Sequence, residues 1–428
     1  SQISSWCINL VANLAILTQM TELKPVAEAQ DAIFSVMGKA GTEMCPLPAA
    51  AGRVLAEDIS ANLNHPAANI SAMDGYALMS GGNRLEIGTV AKVAGEAAAG
   101  HLSATAITSD MAVRIFTGAY LPEGADCVAL QEDVSRDGDN ITLNEGVEAG
   151  QFVRSKGMDF RAGEVILHAG QILGPRHLAL ASLAGFSALP VRQQPVIAIL
   201  SSGDELVEVG TIPKAGQLIN SNSVFLAEAL ANAGAKVVDL GIIPDKKGAL
   251  ISALEAGYAA HTDFDMVVCT GGASVGNHDH IAGDLIEDSA SKIDFWRIAM
   301  RPGKPLIAAS WQEIPFLGLP GNPVSAGVCT LIFVLPALRY FLGLEAQPDI
   351  HTLHLDADLP ENDRRQDYIR AVYTKDQDGR VSVKPLGKQD SSMLRNFCHA
   401  DALILRPPFA KAAQQGEAVP VIEIDTRL

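Results

Sequence analysis

The sequence predicts a multidomain protein of α/β plus β class, with a doubly wound α/β domain at residues 195–344. Three observations carry that prediction. From residue 195 onward, apolar strand-like runs alternate with helical stretches, the pattern of a mostly parallel sheet. Residues 70–156 and 348–428 instead break into short β-like segments punctuated by Gly, Asp, Asn and Pro. The chain has 428 residues, 48% apolar and 19% charged, which suits two to four globular domains with ample core.

Charge and cysteine usage narrow the function. With 32 basic and 49 acidic residues the net charge is −17. That argues against a nucleic-acid partner and fits a soluble cytoplasmic protein. An anionic substrate would have to be met by a local basic cluster. The six cysteines are scattered without a CxxC pair, so neither a disulfide framework nor a zinc site is expected. Residues 1–19 are apolar without Lys or Arg and lack the basic flank of a signal peptide. They read equally as an upstream extension before Met20 or as a plain leading helix. The apolar run 324–338 contains Pro336 and is shorter than the roughly 18 residues of a membrane span. It reads as a buried helix, and no membrane is expected.

Taken in order, residues 25–40 place Val26, Ala29, Ala32, Ile33 and Val36 at helical spacing. Residues 47–59 read as a second helix, and 62–78 as turn-rich. The runs 89–93, 112–116, 127–131 and 140–143 read as strands of a small β module. In the α/β region, strands are expected at 196–200, 237–240, 265–270, 293–299, 306–310 and 316–319. Helices are expected at 223–233, 247–260 and 280–289. The first follows a capping-prone Asn220-Ser221-Asn222 and stops at Gly234. Asn322 and Pro323 read as the N-cap and first residue of the long apolar helix.

Ligands of open α/β sheets bind outside the carboxyl ends of the strands. Three strand ends carry unusual loops: 201–205 (SSGDE), 270–279 (TGGASVGNHD) and 318–323 (GLPGNP). Glycine-rich turns present backbone N–H groups to an anion, and the helix start at Asn322 adds a positive dipole end. Asp204, Glu205, Asp279 and nearby Asp245 are acidic groups on or near these loops. They read as ligands of Mg²⁺ bridging to a phosphate, or, for Asp204 and Asp279, as caps of the next segment and of the helix at 280–289. In WRIAMRPGKP, Arg297 and Arg301 would share one face of an extended segment, with Lys304 beside them. That cluster suits an oxyanion, or else a charged edge that resists strand pairing. Ser201 and Ser202 have no neighbouring His, so no catalytic nucleophile is evident. His278 and His280 are a weak metal signal, and His177 reads as an ordinary structural histidine.

Together, SAMDGYAL (71–78), RIFTGAYLPEGADCV (114–128), SSGDELVEVG (201–210), TGGASVGNHD (270–279), RPGKPL (301–306) and GLPGNPVSA (318–326) resemble the molybdopterin molybdenumtransferase family. This is the molybdenum-insertion enzyme family of molybdenum cofactor synthesis, similar to the C-terminal part of gephyrin. The resemblance implies four domains: a linker domain at 21–69 and 157–194, an inserted β module at 70–156, the molybdopterin-binding domain at 195–344, and a C-terminal β domain at 348–428. It implies a homodimer with a shared active site that takes adenylylated molybdopterin and molybdate, uses Mg²⁺ and releases AMP. By motif position, catalytic roles fall to Asp74, Thr117, Asp159, Glu205, Asp279, Arg297, Arg301 and Arg370. Glu205 and Asp279 would hold the metal. Substrate would be bound by Gly271, Gly272, Ser274, Gly276, Lys304, Pro320, Gly321, Asn322, Pro323 and Asp245. The chain departs from the family at Ala68-Asn69-Ile70, where Phe-Asp-Asn is usual, and at Ile219-Asn220, where Tyr-Asp is usual. Met158 replaces a common acid, and Arg297 and Arg301 replace lysines. These changes keep open a non-catalytic molybdopterin-binding scaffold paralogue. The related adenylyltransferase shares the α/β domain, but the N-terminal modules and Ser274-Val275-Gly276 count against it.

Overall fold

The structure is a computed structural model, and it describes residues 23–101, 105–261, 263–272 and 280–424. The chain divides into two compact units, Met44–Val191 and Ser1–Glu43 with Arg192–Leu428.

In the Met44–Val191 unit, a six-stranded sheet runs in the order Cys127–Leu130, Gly75–Leu78, Met111–Ile115, Val90–Ala97, Asn140–Leu143, Val134–Asp137. Tyr76, Leu78, Cys127 and Ile141 are buried on one side, and Ala77, Val113, Ile115 and Val128 on the other. Gly75 is required by close approach, because a Cβ there would lie 1.8 Å from the Ala129 carbonyl oxygen. The helix expected at 47–59 does not form. Only Leu47–Ala49 makes a short 3₁₀ turn. Gly52 then turns the chain at φ +78°. Beyond it, Leu55 N–H donates to Gln171 and Ala56 N–H to Pro190. The apolar spacing of this segment therefore serves bridges to distant chain rather than a helix face, and Leu55 is fully buried.

In the other unit, a sheet runs Lys236–Ile243, Val196–Ser202, Met266–Thr270, Ile314–Leu319, Pro305–Trp311, Ser291–Arg297. The first four strands are parallel, Pro305–Trp311 runs against them, and Ser291–Arg297 pairs antiparallel with Pro305–Trp311. Val267, Cys269, Phe316 and Trp311 pack with Leu250, Leu254, Ile281 and Leu285 from the helices Ala249–His261 and Ile281–Glu287. Full burial of each such large side chain contributes about 1.5–3 kcal/mol. Beyond it, Gln366–Lys375, Val381–Pro385, Ile350–Leu355, Ala418–Glu423 and Ala402–Arg406 close into a five-stranded barrel, the last strand pairing back onto the first.

The stretch Pro323–Phe341 spans 19 residues, longer than expected, and is apolar enough to cross a membrane. Its apolar surface is instead mostly buried inside the unit. A wide π turn at Thr330–Val334 interrupts it. Pro336 has no N–H to give the carbonyl four residues back, that of Ile332. Buried Gln30, on the helix Val26–Val36, supplies the bond from its Nε2 at 2.9 Å.

Candidate functional site

A crevice of about 710 Å³ opens at the carboxyl ends of the parallel strands. Val196–Ser202 delivers Ser202 to it, and Lys236–Ile243 leads to Asp245. Met266–Thr270 leads to Gly271 and Gly272, and Ile314–Leu319 to Pro320, Gly321, Asn322 and Pro323. Gly271 sits at φ +82°, and a Cβ there would lie 2.2 Å from the Ser202 carbonyl oxygen. The turn and the packing of two strand ends both depend on that residue being glycine.

Two loops are laced together by carboxylates. The Ser202 hydroxyl donates to Asp245 Oδ1 at 2.7 Å. Asp245 N–H donates to Asp204 Oδ1 at 3.1 Å, and Asp204 N–H returns a bond to Asp245 Oδ2 at 3.4 Å. Glu205 also lines the crevice, its carboxylate lying over Gly203. Beneath them, Ser201 Oγ meets Thr270 Oγ1 at 3.0 Å and donates to Asn220 Oδ1 at 3.1 Å. Asn220 is 4% exposed, and the same oxygen caps the helix Ser221–Asn232 by accepting from Ser223 N–H at 3.4 Å. Asn322 behaves otherwise than expected. It occupies the N-cap position but makes no capping bond. Its Nδ2 donates to Ser391 Oγ at 3.2 Å, and the Ser391 carbonyl takes the Val324 N–H at 3.1 Å. A barrel loop has taken over the capping of that helix.

Glu205, Asp245, Gly271, Gly272, Pro320, Gly321, Asn322 and Pro323 thus line one crevice. Ser274, Gly276 and Asp279 lie outside the described residues. The crevice also uses residues that sequence reasoning missed. Asn222 Nδ2 donates to the Gly321 carbonyl at 2.8 Å, and Ser392, Leu218 and Ile219 line the wall. Asn222 had a local signal in the Asn-Ser-Asn run, whereas Ser392 had none. Among the described residues, no three His, Cys, Asp or Glu gather as a metal site. Of the expected metal pair, Glu205 lines the crevice and Asp279 lies outside the described residues, while both Asp245 carboxylate oxygens already accept bonds from Ser202 and Asp204.

The basic residues separate. The strand Ser291–Arg297 ends at Arg297, and Met300–Arg301 begins a new one that pairs with the barrel. The segment is not one extended run, so Arg297 and Arg301 do not point together. Arg297 and Lys304 enter a second cleft of about 660 Å³ together with Arg364, Gln366 and Pro408. Arg301 is instead ion-paired with Asp367. Arg370 is fully buried, and its Nε, Nη1 and Nη2 have no hydrogen-bond partner among the described residues. Burial pulls its guanidinium below the ordinary value, against the pull of Asp390.

The Met44–Val191 unit holds the other predicted residues. Asp74 Oδ1 accepts from the N–H and the hydroxyl of Thr117, each at 2.8 Å. These two bonds, and then the Arg114 charge, hold the Asp74 carboxyl below its usual range. Arg114 lies 5.1 Å from the Tyr76 ring and 4.9 Å from that of Phe116. Asp159 is exposed, and its N–H donates to the His65 carbonyl at 3.0 Å. His177 is a helix-end group, its Nδ1 accepting from Gly174 N–H at 3.0 Å.

Residues 24–185 match the family described as MoeA N-terminal region (domain I and II). Residues 198–340 match the probable molybdopterin binding domain, and 352–424 the MoeA C-terminal region (domain IV). The chain is 34% identical to a molybdopterin molybdenumtransferase of Haemophilus influenzae, over 89% of this chain and 93% of that protein. A molybdopterin molybdenumtransferase of Nostoc is 30% identical over 94% of each chain. A solved structure of the molybdopterin biosynthesis MoeA protein of Pyrococcus horikoshii superposes with a TM-score of 0.82 at 28% identity, over 94% of this chain and 100% of that one.

Proposed function

Because the chain belongs to the molybdopterin molybdenumtransferase family, enzymes of molybdenum cofactor biosynthesis, we propose that it inserts molybdenum from molybdate into adenylylated molybdopterin and releases AMP. The reading rests on one observation: a carboxylate-edged crevice at the strand ends and a separate cation-lined cleft occur in the same unit. The backbone at Gly271, Gly272 and Gly321 cradles the pterin phosphate, with Ser274, Gly276, Pro320, Asn322 and Pro323 completing the cradle. Glu205 and Asp279 would hold Mg²⁺, and Asp245 lines the same crevice as Glu205. Mg²⁺ held there would supply charge neutralisation to the phosphoanhydride oxygens. Arg297, Lys304 and Arg364 receive molybdate oxygens in the basic cleft, which the fully buried Arg370 does not line. The enzyme works in the cytoplasm as a homodimer with a shared active site. The β module of residues 70–156 supplies Asp74 and Thr117 from the partner copy, and the linker domain of 21–69 and 157–194 supplies Asp159.

The scaffold alternative draws its motive from lost carboxylates. At position 220 that motive weakens, because the Asn220 side chain is buried beneath the crevice and occupied as a helix cap. The test supplies purified protein with adenylylated molybdopterin, Mg²⁺ and molybdate, and measures AMP and mature cofactor. Molybdate- and Mg²⁺-dependent AMP release is expected, falling about 100-fold in Glu205→Gln with pterin binding little changed. Tight pterin binding without any AMP release would select the scaffold instead.

A further inference from the structure

Arg301 is the one cation of the segment 297–304 that does not enter the basic cleft. Its guanidinium is already engaged. Nε donates to Asp367 Oδ1 at 2.6 Å and Nη2 to Asp367 Oδ2, while Nη2 also reaches Asn362 Oδ1 at 3.3 Å. Nη1 donates to Asp363 Oδ2 at 3.4 Å. Asp367 is 7% exposed, so this fork is held on a largely buried carboxylate. The backbones pair at the same place, Arg301 standing opposite Asp367 in a parallel register. This is a seam between the open α/β sheet and the closed barrel.

The cleft straddles that seam. Arg297, Ala299 and Lys304 line it from the α/β side, and Arg364, Gln366 and Pro408 from the barrel side. Gln366 and Asp367 are adjacent, so the clamp lies immediately beside these two walls, and Leu23, Pro25, Val26 and Ala27 form a third. Asp363 pairs with Arg365 at 2.8 Å and with Arg301. Arg364, between them in sequence, has no carboxylate partner among the described residues and lines the cleft.

We propose that Arg301 is a positioning residue. Through Asp367 it locks the barrel wall to the α/β wall, so that Arg364 is held across from Arg297 and Lys304 at a spacing that admits a tetrahedral oxyanion, and it does not touch the substrate. An arginine suits this task because its fork fixes both the distance and the rotation of the carboxylate it grips, whereas a lysine fixes only a point charge. The oxyanion identity rests on the proposed function, and the clamp itself does not.

The test is a double-mutant cycle in the full chain with Arg301→Lys, Asp367→Asn and the pair, each variant first checked for a wild-type circular-dichroism spectrum. Molybdate alone is titrated by calorimetry, and KM for molybdate is separated from kcat. Each single change is expected to weaken molybdate binding and raise its KM about tenfold, with kcat within about twofold, and the double variant should match either single one. Losses that multiply in the double variant would mean that Arg301 contacts the substrate and would overturn the proposal. Unchanged singles would overturn it as well. If the wild type neither binds molybdate nor releases AMP, the functional reading fails while hydrogen exchange still decides the clamp. Arg301→Lys should then speed exchange at residues 298–304 and 364–367 together, and unchanged protection at either wall would refute it.

Discussion

The crevice offers backbone groups and short polar side chains at the ends of four parallel strands. The basic cleft offers long cations drawn from an antiparallel strand end, a turn and the barrel. In the crevice, the position of every donor follows from a strand end or a tight turn, so recognition there is geometric. In the cleft, three flexible cations face solvent-accessible space on a protein of net charge −17, so attraction there is electrostatic. A substrate pair made of one large phosphorylated ring system and one small oxyanion matches that division.

The largest difference between the two sites is expected in Gly271→Val. A side chain at φ +82° is strained, and its Cβ would meet the Ser202 carbonyl oxygen at 2.2 Å. Pterin binding should fall more than about 100-fold with a melting point lower by several degrees, while molybdate still binds the cleft. An equal loss of both ligands, read by calorimetry on each, would show that the two sites are one. Next in size is Lys304→Glu, which reverses one of three cleft charges. Molybdate affinity should drop about 10–100-fold and pterin affinity stay within about twofold. Raising salt from 0.1 to 1 M shortens the screening length from about 10 to about 3 Å and should weaken molybdate binding in the wild type far more than pterin binding. The smallest effect is expected from Asn222→Ala. It removes one neutral bond to the Gly321 carbonyl, worth about 0.5–1.5 kcal/mol. A crevice affinity loss of about two- to tenfold with unchanged molybdate binding would sharpen the distinction.

The same contrast explains what could be read in the sequence. The crevice is local: Gly271 and Gly272 follow their strand directly, Pro320 to Pro323 follow theirs, and Glu205 lies three residues beyond Ser202. Such signals survive in one dimension. The cleft is not local. Arg364 has no motif around it, and Arg301 could be placed only by knowing that Asp367, 66 residues later, would take its guanidinium. Asn322 was legible as a helix start, but the capping acceptor is the distant Ser391 carbonyl, which takes the Val324 N–H. Residues 47–59 carry apolar spacing that suits a helix equally well as bridges to residues 171–173 and 190, and only those distant partners decide between them.

The bond from Gln30 to Ile332 also bears on how the chain is made. The Met44–Val191 unit is one unbroken stretch, whereas the other unit needs residues on both sides of it. During vectorial synthesis at about 5–20 residues per second, the continuous unit can complete its contacts while the helix Val26–Val36 still lacks its partner. That helix must wait for residues 302 positions downstream, about 15–60 s later. The first described helix of the chain is therefore among the last to be locked, and its arrival closes the carbonyl that Pro336 leaves open.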